Sequence, residues 1–394
     1  MIKDISASAV IMGLLVAFAG FASSFAVVLQ GLDAVGASKA QAASGLMVLA
    51  IAMGLCGLIL SVASRIPVSI AWSTPGAALL VSTGAIEGGF SAAVGGFLVC
   101  SIALIVAGFW KPLARLIDLI PMSLANAMLA GILLGLCLAP FKAIAFDPIL
   151  ALPILLAWVL VGAWKKILAV PAALSAFFLV MFFGIELPEN TWTTLTASAF
   201  PQVVWVEPLF TVAAVTNIAL PLFIVTMASQ NIPGIAVLKT NGYAVKTGAW
   251  FSITGLFSLA SNPMGGHAVN LAAITAAMCA GEDAHPDKER RYWSAIVAGV
   301  GYILFGLAAG AITAFVSLAP AILIEAVAGL ALIGAFSGAA QGAFQEVESR
   351  EGAAVTFLLT ASGISLFGIS GAFWGLLAGG LVLSAKSVFK KSGP

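Results

Sequence analysis

Residues 7–32 carry no charged side chain. A run of that length is longer than the apolar centre of a signal peptide. It is long enough to cross a bilayer whose hydrocarbon core is ~30 Å thick, so a retained first membrane helix is expected. Similar runs fill most of the chain. Hydrophobic residues make up 61% of the 394 and charged residues 8%, with 41 glycines. A soluble domain is about half apolar and a quarter charged, so the expected class is an all-α polytopic membrane protein. The net charge of +1 gives no sign of a nucleic-acid partner. Cys56, Cys100, Cys137 and Cys279 sit in apolar runs without metal-ligand spacing. No disulfide framework, metal site or cofactor is therefore expected.

Apolar segments separated by polar or Pro/Gly punctuation fall near 9–32, 41–63, 66–83, 90–110, 119–139, 148–163 and 167–184. Seven more fall near 209–232, 247–261, 264–280, 292–318, 320–341, 353–369 and 371–388. About fourteen transmembrane spans are expected. Residues 1–185 would form a first seven-span repeat, 186–208 a periplasmic connector containing Glu186, Glu189 and Glu207, and 209–394 a second repeat. With the amino terminus inside, this count puts every lysine and arginine except Lys39 and Lys142 on the cytoplasmic face. That is the positive-inside pattern, and it leaves both termini cytoplasmic. The halves also echo each other: SVAS (61–64) matches SLAS (258–261), and LIP (119–121) matches LAP (318–320). An odd number of spans per unit turns the second unit upside down, which predicts two inverted repeats of seven.

Two of these segments are broken: RIPVSIAWSTPGAALLVS (65–82) and SNPMGGHAVNLAAITAAM (261–278). Non-helical backbone at membrane depth is tolerated only where it is buried in protein or lines a cavity. A pair of such interruptions in corresponding halves points to a transport site. VSIAW (68–72) has the β-branched and aromatic character of a short strand, and Thr74-Pro75 is a helix start. In the other segment GGHAV (265–269) is the extended part, and Asn270 is placed to cap a helix over 271–278. Helix N-termini present free N–H groups and partial positive charge, so a site between the two favours an anion or a polarised carbonyl. Trp72 would supply an aromatic wall. The alternative is that Pro and Gly merely kink packed helices.

PVSIAWSTPGAALL (67–80), ASQNIPGIAVL (228–238) and NPMGGHAVNLAAIT (262–275) resemble the bacterial benzoate/proton symporter family, with agreement in length and span count over essentially the whole chain. More distantly, the plan is similar to uracil permease and the nucleobase/ascorbate transporters. That resemblance implies two inverted sevens divided into core and gate domains, with short strands in spans three and ten between which substrate binds. In the distant relatives, spans eight and ten carry nucleobase-binding glutamates. Here His267 after Gly266, and Gln230 before Asn231, stand in the glutamates' places. Two carboxylates suit a substrate rich in N–H donors, whereas an amide and an imidazole suit one that accepts hydrogen bonds.

The expected substrate site is therefore Ala71, Trp72, Ser73, Thr74, Gln230, Asn231, Gly266, His267 and Asn270. The expected function is proton-coupled import of benzoate or a similar small aromatic carboxylate by alternating access in a bacterial inner membrane. Its partners are the carboxylate, protons and the lipid bilayer, and a homodimer is an open option. A nucleobase or an inorganic anion on the same fold is the alternative. A channel would need a charged ring or filter motif, and an enzyme a nucleophile or acid–base cluster; the sequence has neither.

Moving one charge against 100 mV costs ~2.3 kcal/mol, so carboxylate import requires a compensating cation. His267 is a proton-coupling candidate because it lies at the proposed site and histidine titrates near pH ~6.5; the bland alternative is a neutral, hydrogen-bonded structural histidine. Glu325, a short way into the expected twelfth span, is the second candidate. Arg65, Asp33, Glu87 and Asp118 fall at span ends, and His285 in a charged loop, where structural or solvated roles are expected.

Overall fold

Charge-free runs become long helices only where nothing ends them for about 20 residues. The computed structural model describes residues 5–110, 121–185, 191–198, 202–316, 318–366 and 369–391. Helices α1 (Ala7–Ala22) and α2 (Phe25–Ala34) form one apolar stretch stepped at two serines, followed by α3 (Lys39–Ser64). A reciprocal cap opens α3: the Gln41 N–H donates to Ser38 Oγ (3.3 Å) and the Ser38 N–H to Gln41 Oε1 (2.8 Å). Arg65, in the left-handed region at φ 55°, closes it. Strand β1 (Ile70–Trp72) and the short helix α4 (Thr74–Thr83) come next, then α5 (Gly89–Ala107), α6 (Met122–Phe146), α7 (Pro148–Trp164), α8 (Ala169–Gly184) and α9 (Thr191–Ala197).

The span α10 (Val212–Lys239) contains two π-helical turns, Val215–Ala219 and Met227–Asn231. Each surrounds the residue four positions before a proline, Pro221 or Pro233. Proline has no N–H for that carbonyl and its ring crowds it, and widening the turn relieves the clash. Then follow α11 (Thr247–Ser261), β2 (Val269–Leu271), α12 (Ala273–Ala280), α13 (Tyr292–Leu307), α14 (Ala309–Val316) and α15 (Ala321–Phe344). The described chain ends with α16 (Arg350–Ala361), a minimal β3 (Ser365–Leu366) and β4 (Ile369–Ser370) pair, and α17 (Gly371–Lys391).

This is an all-α multi-pass membrane protein, but fourteen spans in two inverted sevens do not form. Among the described residues, six helices are long and apolar enough to cross a membrane: Ala7–Ala34, Lys39–Ser64, Gly89–Ala107, Met122–Phe146, Val212–Lys239 and Ala321–Phe344. A seventh span results if the helices on either side of Ala308, bent by 57°, are taken as one. The expected third and tenth spans are a strand joined to helices of 10 and 8 residues, and the expected ninth is a helix of 15. The reason is physical. A hydropathy window sums apolar side chains but does not register where Pro, Gly or an extended residue ends the helix that must carry them. The placement of nearly all basic residues on one face depended on alternating through fourteen crossings, and it lapses with that count. Parts of the expected connector (186–190 and 199–201, including Glu186 and Glu189), together with Lys3, Lys111, Arg115, Asp118 and residues 119–120 of the echo, lie outside the described residues.

The helices pack in pairs, α3 along α13, α6 along α15, α5 along α11 and the shorter α2 along α4. Close approach is built from small residues, as expected where lipid removes the hydrophobic drive between helices. At the α3–α13 crossing a Cβ on Gly54 would lie 2.5 Å from the Gly299 carbonyl oxygen, and one on Gly299 2.7 Å from that of Gly54. Any side chain at either position forces the helices apart.

Candidate functional site

β1 and β2 form a two-stranded antiparallel ribbon in which Ile70 pairs with Leu271, Ala71 with Asn270 and Trp72 with Val269. The Ser73 N–H donates to the Ala268 carbonyl (2.8 Å) and the Ala272 N–H to that of Ser69 (3.1 Å), extending the ladder at both ends. The broken segments thus satisfy their backbone groups with each other, the condition for non-helical chain inside a membrane. Each strand is also tied to the helix before it. Ser61 Oγ of α3 accepts the Val68 N–H and donates to its carbonyl (3.1 and 3.3 Å); Ser258 Oγ of α11 does the same for Val269 (2.8 and 3.2 Å).

Antiparallel pairing sends α4 and α12 away from opposite ends of the ribbon. Their cap residues, Ser73 and Ala272, are offset by four positions in register, roughly 13 Å at strand rise. The two helix N-termini therefore do not converge on one small anion. They also differ in chemistry. Ser73, one residue before the expected Thr74, caps α4 by accepting the Gly76 N–H at 3.1 Å. Asn270 lies in the strand and does not cap α12, whose first turn follows extended Ala272 with no side-chain cap.

Span α10 runs beside the ribbon and is bonded to it at two points. Thr226 Oγ1 and Ser73 Oγ share a hydrogen bond of 2.8 Å, and Asn231 Oδ1 accepts the Leu271 N–H at 2.9 Å. Gln230 stands between these contacts on a π turn, half-buried.

Strand alternation sorts the ribbon's side chains. Ile70 and Trp72 point into the packing, while Ala71 keeps some open surface. Trp72 is 1% exposed, its indole N–H donates to Ser24 Oγ (2.8 Å), and Phe21 meets its ring edge-on at 5.3 Å. It acts as a pillar joining the ribbon to the α1–α2 step and presents no open wall. The Asn270 amide is oriented with its oxygen on the Ser73 N–H (2.9 Å) and its nitrogen on the Leu271 carbonyl (2.8 Å).

His267 is fully buried. Its Nδ1 accepts the Ala268 N–H at 2.6 Å, and the ring packs edge-on to Phe97 at 6.3 Å. A ring nitrogen that accepts carries no proton, so the neutral ring holds its proton on Nε2. That Nε2 is buried and has no partner among the described residues. The turn before it is held by Asn262, whose Nδ2 donates to the Gly266 (3.0 Å) and His267 (2.5 Å) carbonyls and whose Oδ1 accepts from Ser101 Oγ (2.7 Å).

The structure therefore gathers Ser73, Thr74, Gln230, Asn231, Gly266, His267 and Asn270 around one ribbon. Of the expected site, Ala71, Thr74 and Gln230 retain open surface, and Ser73, Asn231, Gly266, His267 and Asn270 are buried behind them. Glu325 is not on the ribbon; it lies half-buried on α15, which packs against α2 and α6. The sequence reading missed Ser24, Thr226, Asn262, Ser101 and the Ser69–Thr275 hydroxyl pair at 2.7 Å. Each is a polar residue in an apolar run, and that was the available signal. It also missed Arg291, whose buried guanidinium donates to the carbonyls of Ala280 (2.6 Å), His285 (2.7 Å) and Pro286 (3.3 Å), closing the end of α12. Chemically, the ribbon offers neutral donors and acceptors, with no charged side chain among its residues and no nucleophile–base pair.

Residues 3–385 match the family described as benzoate membrane transport protein (BenE). The chain belongs to that family. Within its wider kinship, it is 41% identical over 372 residues to the inner membrane protein YdcO of Escherichia coli, covering 94% of this chain and 93% of that one. It is 33% identical over 383 residues to the benzoate membrane transport protein of Acinetobacter baylyi, covering 96% and 94%. Among solved structures, the transmembrane domain of the cyanobacterial bicarbonate transporter BicA superposes with a TM-score of 0.57 at 13% identity, covering 95% of this chain and 98% of that one. The murine anion transporter Slc26a9 in its inward-facing state gives 0.58 at 13% identity, covering 97% and 68%. At that identity the likeness is one of fold. Family and fold are those of transport proteins, not of enzymes.

Proposed function

We propose that this protein is a secondary active transporter of the bacterial inner membrane that imports benzoate or a similar small aromatic carboxylate together with protons, by alternating access. One observation carries the reading: the His267 Nε2–H is a fully buried donor without a partner among the described residues, in the residue before Ala268, whose carbonyl accepts the Ser73 N–H at the start of α4. An unpaired buried donor costs about 1–3 kcal/mol, a cost an accepting ligand removes. A carboxylate oxygen accepts without donating, and the neighbouring Ser73, Thr74, Gln230 and Asn270 bring no negative charge to repel it. Family membership and the relative described as a benzoate transporter support the same class.

Proton coupling has two candidate carriers. For His267 to become charged, its Nδ1 must release the Ala268 N–H and take the incoming proton, so protonation is linked to a local change in the turn. Glu325 is the second, in a helix that packs on both α2 and α6. Uptake of labelled benzoate into liposomes holding the purified protein, under an imposed pH gradient and with uracil and sulfate as competitors, tests the reading. Saturable uphill uptake blocked by unlabelled benzoate alone is expected. Competition by uracil or sulfate moves the substrate to a nucleobase or an inorganic anion, and downhill flux without saturation makes the protein a channel.

A further inference from the structure

α15 is the least buried of the six membrane-length helices, yet none of its exposed side chains is large and apolar. Each of the other five exposes at least one: Phe18, Ile59, Ile102, Leu138 and Leu220 are examples. The second half of α15 exposes Gly334, Ser337, Gly338 and Gln341 instead. Spacings of three and four residues put them on one face. That face runs on to Gln345 and Glu346, exposed just past the end of the helix. The Ser337 hydroxyl and the Gln341 amide have no partner among the described residues. Hydrocarbon satisfies neither group, whereas water satisfies both, and polar side chains within a span face a water-filled cavity or the protein interior.

The first half of the same helix is closed. Ile324 and Val327 line an apolar seam with Phe25 and Ala26 of α2 and Phe177 of α8, and it has no room for a water molecule. Val327 and Gly338 are ~16 Å apart along the helix. One helix thus carries a dry seam at one end and an open polar face at the other. α6 borders the open face, with Asn126 against Gly342, and it also touches α4 and the π turn that bears Gln230.

We infer that the 334–341 face of α15 is one wall of a water-filled passage leading from the ribbon to the end of the molecule where α15 terminates, and that the seam at Ile324 and Val327 is the closed gate at the opposite end. The inference rests on the alternating-access reading above and adds the path and the end that is open. The wall suits a small organic anion in transit. Ser337 and Gln341 offer neutral donors and acceptors that solvate it without trapping it, and two glycines leave width for a ring. When access alternates, the seam must part and the wall must lose its water.

Cysteine labelling reads the wall without reference to any substrate. The four native cysteines are buried, and a Cβ added at Gly334 or Gly338 meets nothing within 4 Å, so Gly334→Cys and Gly338→Cys fit the fold. A charged methanethiosulfonate is supplied on both sides of liposomes holding the full-length protein. It attacks only as far as the thiol ionises, which apolar surroundings suppress, so Gly334→Cys, Ser337→Cys and Gly338→Cys should react about tenfold faster or more than exposed apolar positions. Leu304→Cys on α13 and Leu358→Cys on α16 supply that comparison. Rates no faster than theirs would overturn the wall, as would disulfide-linked dimers of Gly338→Cys, which put a second copy on this face. Val327→Cys should label slowly at rest and faster during benzoate uptake under a pH gradient. No gain in a variant that does accumulate benzoate would overturn the gate. Fast labelling of the wall in a protein that accumulates no benzoate removes the substrate reading and leaves the wall standing.

Discussion

The hydroxyls of Ser73 and Thr226 lie 2.8 Å apart, joining the cap of the short helix α4 to the proline-distorted span α10. Through that contact the cap, the ribbon and the segment bearing Gln230 hold a common position, and the site's geometry depends on both partners.

Ser73→Ala removes the α4 cap and leaves Thr226 without its buried partner, a loss of about 2 kcal/mol in stability. Thr226→Val spares the Gly76 N–H bond and should cost about half as much. Unfolding midpoints of the two purified variants in the same detergent check the order. A larger loss in Thr226→Val would show that the cap is not what the contact supports.

His267→Ala should remain in the membrane yet lose pH-driven accumulation of benzoate by roughly tenfold or more, equivalent to about 1.4 kcal/mol. His267→Gln keeps a donor close to where Nε2–H stands but cannot titrate. It is expected to retain benzoate binding and to lose the pH dependence of uptake. Near-normal uphill uptake in the alanine variant refutes the role.

Glu325→Gln is expected to leave benzoate binding within about twofold, since Glu325 is off the ribbon, while flattening the dependence of uptake on the imposed pH gradient. An unchanged pH profile in liposomes excludes Glu325 as a carrier.

Arg291→Ala should destabilise the protein by about 3 kcal/mol, because the buried Ala280 carbonyl at the end of α12 and the part-buried carbonyls of His285 and Pro286 in the following loop lose a charged donor together. Arg291→Lys should recover little, since a single ammonium cannot span three carbonyls in a planar fork. Thermal unfolding followed by size-exclusion chromatography measures both, and a full rescue by lysine would show that charge alone, without the fork, closes the helix.

Much of the ribbon's first half was legible before the fold. VSIAW reads as a strand because β-branched and aromatic residues favour extended chain, and β1 forms over Ile70–Trp72. The helix start at Thr74-Pro75 was read to within one residue of the Ser73 cap. Other inferences failed where they needed distances along the chain or across it. Asn270 has the side chain of a cap, yet its pairing opposite Ala71 keeps it extended. Trp72 has the face of a binding wall, yet strand alternation turns it toward Ser24 and Phe21. The span count failed because apolar composition does not measure uninterrupted helix, as the 10-residue α4 shows.

What the sequence by itself determined is the solvent and the punctuation: a bilayer environment, and extended chain at two breaks where Pro, Gly and β-branched residues act on their immediate neighbours. Only the tertiary structure decided that Ala71 lies opposite Asn270, that Thr226 and Asn231 clasp the ribbon, and that the His267 Nδ1 is occupied while Nε2 has no partner among the described residues. Backbone preference reaches only a few residues. The pairing of buried polar groups distant in sequence is set by which helices pack together once water is gone.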